Sequence, residues 1–220
     1  ISLAGSIRRK KETIGDVDIL ISVDTSKGSA YAKASADAIA DFFVSLPGIQ
    51  KVWGKGETKA SVRMKEGFDM DLRVVPQKSY GSALQYFTGS KEHNIITRKI
   101  AINKGLKLSE YGVFRGSKMI AGKTEEEVYK AIGLSYIEPE LRENEGEIEA
   151  ALRQVQGKLP GLPKLVELKD IKGDLHCHSN WDGGKNSIEE MAKTAMARGY
   201  EYIGISDHTK FLRIENGLNE

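Results

Sequence analysis

The sequence has little of several features that define common classes of protein. Its 220 residues include one cysteine, so no disulfide can close within the chain. No run of 18 apolar residues occurs, so no membrane-spanning helix is expected. The first residues lack the charged-then-apolar pattern of a secretion signal. These absences predict a cytoplasmic protein that works without a membrane.

An excess of charge of one sign is also missing. Lysine and arginine total 33 against 31 acids, a net charge of +2, so overall charge gives weak support for a nucleic-acid partner. Local clusters are more informative, because basic residues along one face can neutralise phosphates. Each of these residues can equally be an ordinary solvated side chain. They lie in two groups, Lys51, Lys55, Lys59, Arg63 and Lys65, then Lys91, Arg98, Lys99, Lys104 and Lys107.

Two carboxylates behind a small-residue turn are the most informative feature that is present. Gly5-Ser6 precedes Asp16 and Asp18 by nine residues, and residues 17–23 are apolar and β-branched enough to form a buried strand. Residues two apart on a strand project to one face, so the carboxylates should converge. Such a pair repels unless a cation lies between them, and oxygen ligands suit Mg²⁺ or Mn²⁺. Gly5 and Ser6 then indicate a phosphate cradle, although an isolated D-x-D is also common in surface turns.

A second strand-like run, residues 68–75, carries acids at alternate positions, Asp69 and Asp71. Either could bring a third carboxylate to the same cations. Two-metal phosphoryl transfer uses such a triad, with one metal on the incoming triphosphate and the other at the attacking hydroxyl. The pattern therefore predicts a metal-dependent phosphoryl-transfer site.

The residues now resemble a known family. Gly5-Ser6 with Asp16 and Asp18 is similar to the nucleotidyltransferase superfamily, and residues 5–18 resemble the palm of family X DNA polymerases. Residues 86–90, followed by Asn94 and Arg98, resemble the nucleotide-selecting segment of that family. Residues 136–142 are similar to its Y-x-x-P-x-x-R stretch. These matches cover residues 1–143 in the family's order.

The resemblance implies roles for particular residues. Asp16, Asp18 and Asp71 would be the catalytic metal ligands for Mg²⁺ or Mn²⁺, and Asp71 is favoured over Asp69 because Arg73 follows it in the family's pattern. One difference is Lys91, at a position where relatives carry an acid near the base. The implied nucleotide-binding residues are Gly5, Ser6, Arg9 and Gly15 at the phosphates, Tyr86 and Phe87 at the sugar, Asn94 at the base, and also Gly89, with Arg98 on template DNA.

A second metal-type pattern begins near residue 171. His176 and His178 are spaced to share one face of a strand, Asp182 follows, and a helical stretch from 187 to 198 leads to a second strand ending near His208. This resembles the start of the polymerase and histidinol phosphatase (PHP) domain. The resemblance implies that His176, His178, Asp182 and His208 bind Zn²⁺ or Mn²⁺ for phosphoester hydrolysis, as an exonuclease or a phosphatase.

The predicted fold class is α/β (α+β) in four parts. Residues 1–78 form a palm with a mixed sheet and helices, and 79–143 form a small α+β thumb for nucleotide selection. Residues 144–170 are a linker, and 171–220 are the first β-α-β unit of a truncated PHP barrel. Because a whole (β/α)₈ barrel typically needs about 200 residues or more, we expect the hydrolase site to be incomplete in this chain.

The predicted function is templated addition of a dNTP to a primer 3′-hydroxyl in gapped DNA, as in base-excision repair. Two other hypotheses stay open. One is a template-independent nucleotidyltransferase acting on RNA or a small molecule, and the other is a non-catalytic DNA-binding fragment. The chain starts at Ile1 and lacks the family's amino-terminal DNA-gripping helices, so we expect a monomeric piece of a longer protein.

Overall fold

A computed structural model of the chain describes residues 1–209. The chain divides into two units, Ile1–Pro163 and Lys164–Glu220, and each is described by itself. Residues 210–220, which the sequence assigns to the last domain, lie outside the described residues. No helix in the described part is both long and apolar enough to cross a bilayer.

The first unit contains eight strands and six α-helices among the described residues. In chain order they are β1 Ser2–Leu3, α1 Gly5–Arg8, β2 Asp16–Val23, α2 Ser29–Val44, β3 Ile49–Lys55, β4 Lys59–Met64, β5 Asp69–Pro76, α3 Tyr80–Thr88, α4 Lys91–Asn103, β6 Lys107–Ser109, β7 Gly112–Arg115, β8 Lys118–Ala121, α5 Glu125–Ala131 and α6 Glu147–Val155. Short 3₁₀ turns span Gln77–Ser79 and Pro139–Leu141.

A five-stranded sheet carries the amino-terminal part of this unit. Its order is β1-β2-β5-β4-β3, with β2 and β5 parallel and the other pairs antiparallel, so the predicted mixed sheet is confirmed. Helix α2 covers one face, because Ala36, Ala40 and Phe43 recur at helical spacing and pack against buried Val62 and Leu72. On the opposite face, Leu20 and Val75 pack against Ala83 of α3, and the same face carries Asp18 and Asp71.

Two short elements at the start of the chain were not predicted. Strand β1 and helix α1 are too short to produce a periodic hydrophobic signal. They are held instead by pairing, since β1 lies antiparallel to β2 and the Ala4 N–H donates to the Asp18 carbonyl oxygen at 2.9 Å. This pairing brings Gly5 and the start of α1 against Asp18.

A three-stranded antiparallel sheet, β6-β7-β8, and helices α4 and α5 enclose a second core of the first unit. Val113, Val128, Tyr129 and Ile132 are fully buried there. Helix α5 begins with a side-chain cap, as the Thr124 hydroxyl accepts from the Glu127 N–H at 3.2 Å. The Glu127 carboxylate accepts from the Lys123 N–H.

The structure differs from the sequence prediction in residues 144–170, expected to be a linker. Helix α6 buries Ile148 and Ala151 in the same core as Tyr129, so this helix belongs to the first unit. The charged residues that suggested a linker are spread along a helix whose apolar residues recur at i, i+3 and i+4. The boundary between the units falls at Pro163 and Lys164.

The second unit begins with a β-α-β arrangement, as predicted. Strands β9 Gly173–Cys177 and β10 Tyr202–Ile205 are parallel, and helix α7 Ile188–Ala197 connects them. A 3₁₀ turn at Leu168–Asp170 precedes β9. Helix α7 starts with a reciprocal capping box between Ser187 and Glu190.

Candidate active site

Four carboxylates rise from neighbouring strands of the mixed sheet. Strands β2 and β5 run parallel in a register that pairs Asp16 with Asp69 and Asp18 with Asp71. Because alternate residues of a strand share a face, all four project to the same side of the sheet. The pairing of distant segments, which the sequence could only suggest, therefore assembles the acidic site.

The two acids of β5 have different partners. Asp69 accepts from Trp53 Nε1 at 3.0 Å and pairs with Arg63 Nη1 at 3.2 Å, and the Trp53 hydrogen bond holds the pKa of Asp69 below its usual range. Asp71 accepts from the Ser61 hydroxyl and lies next to Asp18. Asp71 is thus the neighbour of Asp18, and Asp69 is engaged elsewhere.

Asp18 carries the clearest electrostatic signature of the site. Burial, with the nearby charges of Asp16 and Asp71, raises the pKa of Asp18 to about 6, although Arg73 and Arg9 oppose the shift. The raised pKa means that Asp18 loses its proton less readily than an ordinary aspartate does. A bound divalent cation would relieve this repulsion, so the donor set fits a metal site.

A cavity of about 570 Å³ opens beside Asp16 and Asp18. It gathers nearly all the residues predicted to bind nucleotide, from α1, β2, α3 and α4. Gly15 and Asp71 are not among the lining residues, and a side chain at Gly15 would meet open space. The lining consists of Gly5, Ser6, Arg9, Asp16, Asp18, Tyr86, Phe87, Gly89, Lys91, Asn94, Ile95 and Arg98.

Gly5 is required where α1 approaches the carboxylates. Its φ is +61°, a conformation that favours glycine, and a Cβ there would collide with Oδ2 of Asp18. The Gly5 backbone therefore lies closer to the Asp18 carboxylate than a residue with a side chain would allow. Ser6 follows in the same short helix and lines the cavity.

An aromatic wall and an amide form the other side of the cavity. The rings of Tyr86 and Phe87 meet edge to face at 5.0 Å, and the Arg98 guanidinium lies 4.7 Å above the Tyr86 ring. The Asn94 amide is fixed on both ends: Nδ2 donates to the Tyr86 carbonyl at 2.7 Å and Oδ1 accepts from Gln85 Nε2 at 2.8 Å. The side chain predicted to contact the base is thus held in one orientation.

A buried ion-pair network under the cavity was missed by sequence reasoning. Arg8 and Arg142 both donate to Glu125, with closest distances of 2.6 Å, and Arg8 also donates to the Thr88 hydroxyl at 2.7 Å. Burial opposes ionisation of Glu125, but the two arginines outweigh it and hold the pKa of Glu125 below its usual range. No local pattern links Arg8 to Glu125, which lie 117 residues apart. The available signals were a second arginine beside Arg9 and the arginine that ends the Y-x-x-P-x-x-R stretch, Arg142.

The second unit brings three of its four predicted ligands together. Candidate ligand atoms of His178, Asp182 and His208 lie within 4.8 Å of one another. Oδ2 of Asp182 is 3.1 Å from His178 Nδ1 and 2.6 Å from His208 Nδ1, while Oδ1 is buried without a partner. His176 is exposed and outside this set, although its ring centroid is 5.0 Å from that of His178. An orphaned carboxylate oxygen beside two imidazoles fits a transition-metal site.

Comparison with known proteins agrees with this geometry. Residues 83–143 match the DNA polymerase beta thumb family. The DNA polymerase/3'-5' exonuclease PolX of Bacillus subtilis is 37% identical over 99% of this chain and 36% of its own length. Repair DNA polymerase X of African swine fever virus is 30% identical over 64% of this chain and 80% of its own length. Rat DNA polymerase lambda is 33% identical over 63% of this chain and 28% of its own length.

A solved structure is similar as well. The ternary P/T complex of Leishmania infantum polymerase beta matches with a TM-score of 0.55 and 26% identity, over 64% of this chain and 66% of that one. The fold and these relatives place the chain in the nucleotidyltransferase superfamily. More particularly, it belongs to family X of the DNA polymerases. The chain spans about a third of the length of the bacterial and rat relatives.

Proposed function

We propose that the first unit catalyses templated addition of a dNTP to a primer 3′-hydroxyl in gapped DNA, with release of pyrophosphate. The observation that carries this proposal is the cavity beside Asp16 and Asp18, which collects residues predicted for phosphate, sugar and base. The relatives support it, since one is named a DNA polymerase/3'-5' exonuclease and another a repair DNA polymerase.

Each wall of the cavity has a task in the proposed reaction. The Gly5 and Ser6 backbone, at the start of α1, would bind the triphosphate, with Arg9 supplying a planar donor for its oxygens. Tyr86 and Phe87 would pack against the sugar and exclude a 2′-hydroxyl. Positioning of the two reactants accounts for much of the rate in phosphoryl transfer, so rigid walls matter.

Asp16, Asp18 and Asp71 would hold two divalent ions, and Mg²⁺ or Mn²⁺ suits their oxygen donors. When bound, such ions help deprotonate the attacking hydroxyl and stabilise charge on the phosphate oxygens. The chain's own contribution is to hold three carboxylates on adjacent strands. The raised pKa of Asp18, about 6, supports this assignment because burial and then the charges of Asp16 and Asp71 disfavour its ionised form, which a bound cation would stabilise.

The proposed partner is primed or gapped DNA. The Leishmania infantum neighbour is described as a ternary P/T complex, which supports DNA as the partner here. Arg98 lines the cavity next to Asn94 and would reach the template strand.

Gap filling by the chain tests this proposal. A one-nucleotide gapped duplex is offered each dNTP singly, and the matching rNTP, with Mg²⁺ or Mn²⁺. We expect incorporation of the complementary dNTP, weak use of the rNTP, and loss of activity in Asp18→Ala. Addition that ignores the template would favour the template-independent transferase. DNA binding without incorporation would leave the non-catalytic fragment.

For the second unit, we propose the beginning of a PHP-type metal-dependent phosphoesterase that takes Zn²⁺ or Mn²⁺. The His178, Asp182 and His208 cluster supports this, as does the match to the PolX of Bacillus subtilis, which extends across 99% of this chain. Phosphodiesterase turnover by this chain that is abolished by His176→Ala would contradict our expectation that the site is incomplete.

A further inference from the structure

Arg9 reaches the cavity under the constraint of two other side-chain and backbone groups. Its Nε lies 2.7 Å from Glu143 Oε1, and its Nη1 donates to the Thr88 carbonyl oxygen. Gly89 closes a third side, since a Cβ there would lie 3.0 Å from Arg9 Nη1. The chain itself therefore fixes two nitrogens of the guanidinium, Nε and Nη1.

These contacts leave donors for a ligand. Arginine has five N–H donors, and these two bonds use two of them. Arg9 itself lines the cavity and is close enough to Asp18 to oppose the rise in the pKa of Asp18. The three unused N–H donors of Arg9 therefore lie at the edge of the acidic site.

Glu143 is well placed to impose this orientation because its backbone is fixed. It follows Arg142, which is fully buried and whose Nε and Nη2 donate to the Ile137 carbonyl at 2.9 and 2.8 Å. The Arg142 carbonyl in turn accepts from the Ser90 N–H at 2.9 Å, next to the cavity. A carboxylate on such a support holds its partner more firmly than one on a mobile loop.

A neighbouring ion pair gives the contrast. Lys10 and Glu140 come from the same two segments and lie 2.6 Å apart, but the Lys10 side chain is 76% exposed, whereas that of Arg9 is 14% exposed. Neither Lys10 nor Glu140 lines the cavity. Exposed ion pairs of this kind contribute little to the stability of the fold.

We propose that Glu143 is a positioning residue for the polymerase reaction, which orients the Arg9 guanidinium toward the triphosphate of the incoming nucleotide. This inference rests on the proposed function of the same site. Within the planar Arg9 guanidinium, Nε donates to the Glu143 carboxylate, and the remaining N–H donors would bind phosphate oxygens. Glu143 does not touch the substrate.

Nucleotide binding separates this role from simple stabilisation. Isothermal titration with dATP and dAMP, in Ca²⁺, is carried out on the wild type, Glu143→Ala, Glu143→Gln and Glu140→Ala. We expect Glu143→Ala to weaken dATP about tenfold and dAMP less than about twofold, since the lost contacts belong to the β and γ phosphates. Glu143→Gln keeps an acceptor oxygen and should stay within about twofold of wild type, as should Glu140→Ala.

A double-mutant cycle completes the test. In an Arg9→Ala background, Glu143→Ala should have no further effect on dATP, because its influence passes through Arg9. Wild-type affinity in Glu143→Ala, or equal losses for dATP and dAMP, would overturn the role of Glu143 alone. Absence of dATP binding by the wild type would count against the proposed function itself, and the inference would fall with it.

Discussion

Asp18 in the first unit and Asp182 in the second are both acids among candidate metal ligands, but their surroundings act in opposite directions. Burial and two neighbouring carboxylates raise the pKa of Asp18 to about 6. Burial opposes ionisation of Asp182 too, yet hydrogen bonds from His208 and His178 outweigh it and hold the pKa of Asp182 below its usual range. The first site concentrates negative charge and the second balances it with imidazoles.

This difference matches the chemistry expected of each site. A site made of carboxylates alone keeps a negative charge that attracts hard divalent ions, which can also coordinate a triphosphate. Mixed imidazole and carboxylate donors suit Zn²⁺ or Mn²⁺. The surroundings also differ, because the first site opens into a cavity of about 570 Å³ within its own unit. In the described part of the second unit, three candidate ligands converge in a unit that has a two-stranded sheet.

The largest expected effect distinguishes the two acids of β5. Asp71→Ala should lower single-turnover gap filling by on the order of 10³-fold or more, since a metal ligand is worth several kcal/mol in the transition state. Asp69→Ala, which removes a partner of Trp53 and Arg63, is the matched control and should cost less than about tenfold. The reverse order would assign the third ligand to Asp69. Zinc binding by the second unit should be the same in both variants.

The next effect concerns Asp182. Asp182→Asn should weaken Zn²⁺ binding, followed by competition with a chelating dye, by about 100-fold, because it removes a carboxylate held between two imidazoles. Gap filling should remain within about twofold of wild type. Glu201→Gln, an exposed acid of the same unit, is the control. Equal zinc affinity in wild type and Asp182→Asn would remove the basis for a second metal site.

The next effect concerns the buried ion pairs that Glu125 makes with Arg8 and Arg142. Glu125 is 5% exposed beneath the cavity of the first unit, and removing its charge leaves Arg8 and Arg142 uncompensated. Glu125→Gln should therefore lower the free energy of unfolding by about 3 kcal/mol in urea titrations at pH 7. The exposed Glu127→Gln is the control.

The sign of the pH dependence follows from the depressed pKa of Glu125. The folded-state pKa lies below the usual 4.5, so the stabilisation is present above that value and is lost as the pH falls through the folded pKa. The gap between wild type and Glu125→Gln should thus narrow below about pH 4.5. A gap that is constant from pH 7 down to pH 3 would mean that folding does not lower the pKa of Glu125.

Much of the first unit could be predicted from sequence, because its signals are local. Strand β2 follows from the apolar, β-branched run at residues 17–23, and it begins and ends within one residue of that run. The cavity residues were found because they fall in short motifs. Gly15 is the exception, since its motif position does not reach the cavity lining.

What could not be predicted depends on long-range pairing. The Arg8, Glu125 and Arg142 network joins three segments, and the Arg9 contact with Glu143 spans 134 residues. Helix α6 lies in the segment predicted to be a linker, because the sequence does not show the core that receives Ile148. Single-sequence patterns report periodicity and composition, not partners.

The smallest expected effect compares helix caps with the same chemistry and different support. Ser187 caps α7 and Thr124 caps α5, each accepting from the N–H three residues on at 3.2 Å, so either change to alanine should cost about 1 kcal/mol locally. In the described residues, α7 buries Ala195 alone, whereas α5 buries Val128 and Tyr129. Amide hydrogen exchange should therefore accelerate more across α7 in Ser187→Ala than across α5 in Thr124→Ala, because tertiary packing still holds α5 closed. Equal acceleration in the two helices would mean that caps, rather than packing, control local opening in both units.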